Sequence, residues 1–197
     1  MWITRVLTQT MVEAAYSVGI FPMAIDARDL YTWHRPDPRA VLPLDGFHMP
    51  RSLAKTIRQQ RFEVTYDRAF RDVMLGCAHG RKGGTWINDN LLEVYCSLHA
   101  VGRAHSVEVW KDGKLAGGTY GVHVGGAFMA ESKFHHVRDA SKVALAGLVS
   151  KLNERGFALL DVQYVTPHLK RFGVMEIAAA EYERRLGEAS LLTCAFP

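Results

Sequence analysis

Between His105 and Phe134 the chain alternates between β-branched or aromatic residues and small or polar ones. The dipeptides Asp112-Gly113 and Gly125-Gly126 interrupt this alternation twice. Both tolerate the positive φ angles that two-residue hairpin turns require. The pattern therefore predicts three strands joined by tight turns.

A helical spacing follows, from Arg138 to Arg155. Apolar residues there recur every three or four positions, and Gly156 supplies a C-terminal stop. The next segment, FALLDVQ at 157–163, has the composition of a buried strand. The stretch as a whole predicts a β-β-β-α-β unit, and we expect this unit to carry the chemistry of the protein.

The last strand of this unit places a carboxylate and an amide on one face. Strand alternation puts Asp161 and Gln163 on the same side, together with apolar residues. Ionised carboxylates are seldom buried without partners. We expect the two side chains to open together into a cavity, although capping a loop or satisfying backbone groups is the alternative.

The first 45 residues are predicted to form a small N-terminal lobe and an ordered loop, and residues 46–197 the main domain. Thr8 is expected to cap a first helix that ends at Gly19. The segment 23–50 holds four of the seven prolines and has no helical period. It predicts a loop with one short strand at Ala40–Leu42.

A helix from Pro50 to about Gln60 follows, and its basic residues share one face. They lie at i, i+4 and i+7 with one more just beyond: Arg51, Lys55, Arg58 and Arg61. A solvated surface stripe would explain this pattern. The functional interpretation is contact with nucleic-acid phosphates, which makes binding dependent on salt.

Two more helices are predicted before the central unit, one capped by Asp67 and one by Asn88. The basic loop GRKGGTW between them lacks the spacing and the terminal Lys-Ser/Thr of a P-loop, which excludes a nucleoside-triphosphate site of that kind. Thr166 and Gly173 frame a single helical turn, and a charged helix ends the fold.

Composition narrows the class of protein. The net charge of +4 permits an anionic partner, and three separated cysteines indicate reduced thiols in a cytoplasmic protein. A membrane span and a signal peptide are not expected. The nine histidines show no HExxH or paired Cys/His spacing, so no metal is expected. A GxSxG elbow is also missing.

Eight local motifs occur in unbroken order over roughly residues 16 to 185. They are GIFP, the W-x-x-PDPRAV run, GTWI, LHxxGxAHSVEVW, LxGGxYGV, ES-x-F, ASK and DxQ. Together they resemble the leucyl/phenylalanyl-tRNA–protein transferase family. The resemblance implies transfer of leucine or phenylalanine from aminoacyl-tRNA to the N-terminal Arg or Lys of a protein, which marks that protein for degradation.

The resemblance also implies a fold class. It is α+β, with a mixed sheet flanked by helices like that of the GNAT N-acyltransferases, and a small N-terminal lobe. GNAT acetyltransferases hold the pyrophosphate of CoA on a glycine-rich loop, whereas HVRDASK stands here. No cofactor is therefore expected.

Site residues follow from the same resemblance. The catalytic positions fall on Asp161, Gln163 and Glu131. The adenosine-stacking tryptophan falls on Trp86. The remaining substrate-binding positions are Met23, Trp33, Leu148, Leu152, Ser132 and Phe134, and the tRNA-binding positions are the four basic residues 51, 55, 58 and 61. Two of these depart from the family: Met23 and Leu148 replace aromatic residues, and both remain large and apolar.

The reaction implied is aminolysis of an ester. We hypothesise that Asp161 accepts a hydrogen bond from the Gln163 amide, which turns the amide oxygen toward the incoming amine. Glu131 would hold a cationic group. An apolar pocket near Leu148 and Leu152 would accept Leu, Phe and Met and reject β-branched side chains by about 1–3 kcal/mol.

Three alternatives remain at this point. One is the related leucyl-transferase that acts on N-terminal Asp or Glu. The second is an acetyl-CoA-dependent N-acyltransferase. The third is a tRNA-binding module without catalysis.

Overall fold

The computed structural model describes residues 2–25, 29–79 and 85–197. The elements in chain order are β1 (Trp2–Thr4), α1 (Gln9–Ser17), β2 (Phe21–Ala24), β3 (Tyr31–His34), β4 (Arg39–Val41), α2 (Arg51–Arg58), β5 (Glu63–Tyr66), α3 (Phe70–Ala78), α4 (Asp89–Ala100), β6 (Ala104–Lys111), β7 (Lys114–Val124), β8 (Ala127–His135), α5 (Ala140–Glu154), β9 (Leu159–Gln163), α6 (Pro167–Lys170), β10 (Met175–Ile177) and α7 (Ala179–Ser190). The predicted β-β-β-α-β unit is confirmed as β6 to β9, and so is the α+β class.

Two sheets form within the described residues. The larger has seven strands in the order β10-β4-β9-β8-β7-β6-β5, and the smaller has the order β1-β3-β2. Neighbouring strands of the larger sheet are antiparallel except for β8 and β9, which are parallel and joined by α5. The carboxyl ends of these two strands therefore lie at the same edge of the sheet.

The turn residues behave as their chemistry predicts. Asp112 and Gly113 have φ angles of 51° and 72°, and Gly125 has a φ of 56°. The hydroxyl oxygen of Thr8 accepts from the Met11 amide, and the Asn88 side chain caps α4. These are the local signals that sequence conveys most directly.

Apolar side chains pack on both faces of the large sheet. One cluster lies between the sheet and α1, α3, α4 and α7, and it includes Tyr16, Tyr95 and Tyr182. The other lies between the sheet and α2 and α5, and it includes Leu53, Leu148 and Leu152. We call these clusters the α1-side core and the α5-side core.

The N-terminal region differs from its prediction. The expected loop contains β3 and the last two residues of β2, and β3 pairs with both β2 and β1. β4, the predicted short strand, lies in the large sheet between β9 and β10. The prolines of this segment indicated a loop, but all four of them lie outside β2 and β3 and interrupt neither strand. The division of the chain at residue 45 stays a prediction.

The predicted cap of α3 is wrong. Ala69 precedes that helix, and no side chain caps it. The Asp67 carboxylate instead accepts from the backbone N–H of Ser106 at 2.8 Å and contacts Nδ1 of His105 at 2.7 Å. Tertiary donors on β6 therefore replace the local donors. Most of the basic GRKGGTW loop, residues 80–84, lies outside the described residues.

Candidate active site

Two β-bulges mark one region of the large sheet. Between β7 and β8, Tyr120 opposes Ser132 and Gly121 opposes Ala130, so Glu131 is an extra residue in its strand. Between β4 and β9, Ala40 opposes Gln163 and Val41 opposes Asp161, so Val162 is extra. Bulges re-aim side chains and are frequent beside active sites. Here they set the directions of Glu131 and Gln163 on neighbouring strands.

Glycine at position 121 makes the first bulge possible. A Cβ atom there would lie 2.3 Å from the backbone oxygen of Met129, which is far inside contact distance. Glycine therefore allows the backbone of β8 to approach β7 closely at this position.

Asp161 is fully buried, and its carboxylate accepts four hydrogen bonds. Arg39 donates from Nε to Oδ1 at 2.9 Å and from Nη2 to Oδ2 at 2.5 Å. The Tyr182 hydroxyl donates to Oδ2 at 2.8 Å, and the Gln163 backbone N–H donates to Oδ1 at 2.8 Å. This is a bidentate, charge-assisted pair of the strong type.

Arg39 is itself enclosed, with an exposed fraction of 1%. It donates from Nη1 to the Gly19 carbonyl at 2.9 Å. Its guanidinium lies over the rings of Phe21 and Tyr182, at 5.0 Å and 4.5 Å from the ring centroids. Arg39 thus joins the small sheet, α7 and β9 through one side chain.

Gln163 has a left-handed backbone conformation, with a φ of 59°. The Tyr164 N–H donates to the Val162 carbonyl at 2.7 Å and closes a tight turn around it. This conformation is uncommon for a residue with a side chain and is maintained only where the surroundings enforce it. The hydrogen bond from the Gln163 N–H to Asp161 is one such restraint.

The Gln163 side chain donates from Nε2 to Oε1 of Glu131 at 2.7 Å. The predicted hydrogen bond from this amide to Asp161 is therefore wrong. Arg39 and Tyr182 occupy the Asp161 carboxylate, and the turn at Gln163 directs the amide toward β8. The expected shared cavity is also wrong for Asp161, which has no exposed surface, whereas Gln163 keeps 7%.

Glu131 is the titratable centre of this region. Burial raises its pKa from 4.5 to about 8, and the nearby charge of Asp161 adds to the increase. Hydrogen bonds from Tyr16 and Gln163 and the charge of Arg39 oppose it without cancelling it. At neutral pH the carboxyl is therefore mostly protonated. The expected role as a holder of a cation does not fit this neutral form.

Two tyrosines complete the surroundings of Glu131. The Tyr16 hydroxyl lies 2.6 Å from that of Tyr95, and both rings are fully buried. Burial, followed by the charge of Glu131, raises the pKa of both phenols well above 10.0. They stay neutral hydroxyls that can donate or accept.

The aromatic positions divide into two groups. Met23 and Trp86 are half-buried against the α1-side core, and the Ala24 N–H donates to the Trp86 carbonyl at 3.2 Å. Trp33 opposes Pro22 in the small sheet, so it faces away from Phe21 and Met23. Trp33 lines a shallow, open apolar groove of about 350 Å³.

The remaining substrate-binding candidates are packed inside the protein. Leu148 and Leu152 are 0% exposed in the α5-side core. Phe134 lies against α3, where a Cβ on Gly76 would meet its ring at 2.5 Å. Ser132 is buried, and its carbonyl accepts from Thr119. None of these side chains reaches solvent broadly in this conformation, and their roles in binding stay predictions.

The predicted basic helix is confirmed as α2. Leu53 is buried and packs toward α5, whereas Arg51, Lys55 and Arg58 are exposed. No ion pair within the described residues involves these three side chains or Arg61. The cations therefore remain available to an anionic partner.

Arg39, Tyr182 and Tyr16 are site residues that sequence reasoning missed. A signal existed for Arg39, because it begins a strand whose other residues are apolar. A cation in such a strand requires a buried partner. Tyr16 and Tyr182 resemble ordinary core positions of amphipathic helices, and their sequence gives no sign of their hydroxyl partners.

One cluster of possible metal ligands occurs in the described part of the chain. Asp67, His99 and His105 each offer an atom within 4.8 Å of the others. These groups already bond to the protein: His105 contacts Asp67 through Nδ1 and His123 through Nε2, at 2.7 and 2.9 Å. The cluster is explained by this chain of hydrogen bonds, which ties β5 to β6 and β7.

A buried carboxyl that titrates near neutrality and contacts an oriented amide is characteristic of acid–base enzymes. Fold and site together fit an enzyme built on a mixed α+β sheet, with Glu131 as its candidate acid–base group. The chain belongs to the leucyl/phenylalanyl-tRNA protein transferase family, whose sequence model matches residues 41–187.

Relatives of that name agree with the assignment. The protein of Salinibacter ruber is 49% identical over 180 residues, which cover 91% of this chain and 79% of the relative. That of Herpetosiphon aurantiacus is 47% identical over 194 residues, which cover 98% of this chain and 100% of the relative.

Among solved structures, a ribosomal-protein-alanine N-acetyltransferase from Brucella melitensis biovar Abortus has a TM-score of 0.39 at 17% identity. The match covers 54% of this chain and 83% of that protein.

No helix in the described residues combines the length and apolar character needed to cross a membrane.

Proposed function

We propose that this protein transfers leucine or phenylalanine, and methionine as a further unbranched residue, from aminoacyl-tRNA to the N-terminal Arg or Lys of cytoplasmic proteins. The hydrogen-bonded pair of Glu131 and Gln163 is the observation that carries the proposal. Family membership and the names of the relatives support aminoacyl-tRNA as the donor and a protein as the acceptor.

The chemistry requires a proton to move from nitrogen to oxygen. The acceptor amine attacks the ester carbonyl carbon, and the bond to the 3′-oxygen of the tRNA breaks. In its ionised form Glu131 takes the proton that the amine loses, and it returns the same proton to the leaving oxygen. A group with a pKa of about 8 suits this exchange, because general acids and bases work best near the operating pH.

Gln163 orients the amine. Its NH₂ is engaged by Glu131, so its amide oxygen is the end left to accept a hydrogen bond from the nucleophile. An amide oxygen is too weak a base to keep the proton. Positioning by Gln163 and proton transfer by Glu131 are therefore separate tasks.

Asp161 then has an anchoring role. Its carboxylate holds the backbone N–H of Gln163, and Arg39 and Tyr182 hold the carboxylate in turn. We place no proton transfer on Asp161, because its lone pairs are directed at these donors and it has no exposed surface.

The tRNA is proposed to bind α2 through Arg51, Lys55, Arg58 and Arg61. Each phosphate contact releases counterions and contributes about 0.9 to the slope of log K against log salt on a duplex. Reversing Arg51, Lys55 and Arg58 together should weaken binding and reduce this slope by about 3. An unchanged slope would remove α2 from the interface.

The acyl side chain is proposed to enter near Leu148 and Leu152 of the α5-side core, and the donor adenosine is proposed to bind beside Met23 and Trp86 at the α1-side core. Trp86 supplies a face on which adenine can stack. Met23 adapts its shape more readily than the aromatic residue it replaces. Because the two leucines are sealed in the free protein, we expect side-chain movement when the donor binds.

A single assay tests the function. The protein is incubated with labelled Leu-tRNA or Phe-tRNA and with matched peptides that begin with Arg, Lys, Asp or Glu. We expect label only on the Arg and Lys peptides. Label on the Asp and Glu peptides would instead establish a leucyl-transferase that acts on acidic N-termini. This enzyme is the second candidate because basic side chains lie near the site. Modification only with acetyl-CoA would overturn both.

A further inference from the structure

Basic side chains gather at the edge of the sheet where β8 and β9 end. They come from three elements: Lys133 and His135 from β8, Lys142 from α5, and His168, Lys170 and Arg171 from α6 and the residue after it. We call this set the α6 basic surface. None of the six belongs to the predicted tRNA-binding helix α2.

Topology places these residues together. β8 and β9 run parallel, with Met129 opposite Asp161, so Lys133 lies just beyond the level of Gln163. α6 begins four residues after Gln163. Partial burial and the charges of Lys133, Lys142, Arg171 and His135 together lower the pKa of His168, so all these cations act on one imidazole.

Ion pairs among the described residues account for Lys142 of this set but not for Lys170 or Arg171. Asp139 bonds Lys142 at 2.6 Å and lies 3.8 Å from Arg138. Lys170 and Arg171 are exposed and have no carboxylate partner within the described residues. A concentration of cations of this kind raises the local concentration of an anionic ligand.

The α6 basic surface is continuous with the segment that leads into α2. The His48 N–H donates to the Phe172 carbonyl at 3.0 Å, and the rings of Phe47 and Phe172 stack at 5.8 Å. α2 begins at Arg51, three residues after His48. The segment that follows Gln163 through α6 therefore contacts the segment that leads into α2.

We infer that the α6 basic surface binds the phosphates of the single-stranded 3′ end of the tRNA, while α2 binds the double-stranded stem. The inference rests on the proposed function. It follows from the position of the reacting ester: a chain that joins a stem on α2 to an ester at Gln163 must cross the residues in between. A positively charged path is the usual means of holding a single strand without reading its sequence.

The test compares two deacylated tRNA probes, one intact and one lacking its single-stranded 3′ nucleotides. The variant carries Lys170→Glu and Arg171→Glu, and the matched control carries Arg103→Glu and Arg155→Glu. These two arginines lie near the start of β6 and the end of α5, at the opposite edge of the sheet. Dissociation constants are measured over a range of salt concentrations, and thermal unfolding confirms that every variant is folded.

For the intact tRNA we expect the variant to bind at least about tenfold more weakly, with a salt slope lower by about 1.4, since each single-strand contact contributes about 0.7. The trimmed tRNA should bind the variant and the wild type equally. Reversal of Arg51, Lys55 and Arg58 should weaken both probes, and the control should change neither.

Equal weakening of both probes would mean that α6 contacts the duplex, and the inference would be wrong. It would also be wrong if neither probe responded, or if the variant changed only the KM for peptides beginning with Asp or Glu. A wild-type protein that transfers no aminoacyl group would instead overturn the proposed function, so the two failures remain distinct.

Discussion

Replacing Glu131 by glutamine should make the protein more stable at neutral pH while removing its activity. The native carboxyl has a pKa of about 8 against 4.5 when exposed, so the folded state retains a proton that the unfolded state releases. Between these two values the wild type loses about 1.4 kcal/mol of stability for each pH unit. The penalty is about 3 kcal/mol at pH 7 and approaches about 5 kcal/mol above pH 8.

Glutamine matches the shape of the protonated acid. Its oxygen can accept from Gln163 and its NH₂ can donate to Tyr16, so the network persists without a titrating group. The difference in unfolding free energy between Glu131→Gln and the wild type should therefore be close to zero at pH 4. It should then rise through pH 7, because only the wild type loses stability through ionisation of residue 131.

Urea unfolding at several pH values measures this difference. Glu108→Gln is the matched control, since the buried Glu108 carboxylate accepts from Thr65, Ser106 and the Arg68 N–H and should lose stability on amidation. Transfer by Glu131→Gln should fall by about 100-fold or more. A variant less stable than the wild type at pH 7, or a difference that is flat between pH 5 and pH 8, would refute a neutral Glu131.

Further predictions concern the anchor and the bulge, and urea unfolding at pH 7 checks each of them. Arg39→Met should lose about 3–5 kcal/mol, because it strands the Asp161 carboxylate, and adding Asp161→Asn should restore part of the loss. Tyr182→Phe removes one hydrogen bond to that carboxylate and should lose about 1.5–3 kcal/mol. Gly121→Ala should lose about 1–3 kcal/mol through overpacking, whereas Gly187→Ala, in a helix with open space around it, should gain about 0.5–1 kcal/mol.

Much of the fold could be predicted because its signals are local. The turns at Asp112-Gly113 and Gly125-Gly126, the caps at Thr8 and Asn88, and the apolar spacing of α5 each depend on a few adjacent residues. The small sheet was missed for the opposite reason. Its strands are three or four residues long, contain Pro22, and become recognisable only when β1 and β2 pair with β3 on either side.

Sequence analysis predicted several residues of the site but not the hydrogen bonds between them. Strand alternation predicts that Asp161 and Gln163 lie on one side of β9, as they would in a fully extended strand. The turn at Gln163 breaks that alternation, and it depends on a carboxylate whose partner, Arg39, lies 122 positions away in sequence. The predicted helix cap at Asp67 was wrong for a similar reason, because donors on β6 compete for its carboxylate with the helix that follows it.

Which of two neighbouring carboxyls is the acid–base group depends on how each is compensated. Asp161 and the largely enclosed Glu131 influence each other electrostatically, and two close carboxylates cannot both keep a bare charge there. Arg39 directs Nε and Nη2 at Asp161, and its weaker influence on Glu131 does not offset burial. One carboxyl is consequently fixed as an ion-paired anchor. The other is left to exchange its proton near neutral pH, and the bulge at Glu131 places this carboxyl beside the amide that orients the amine.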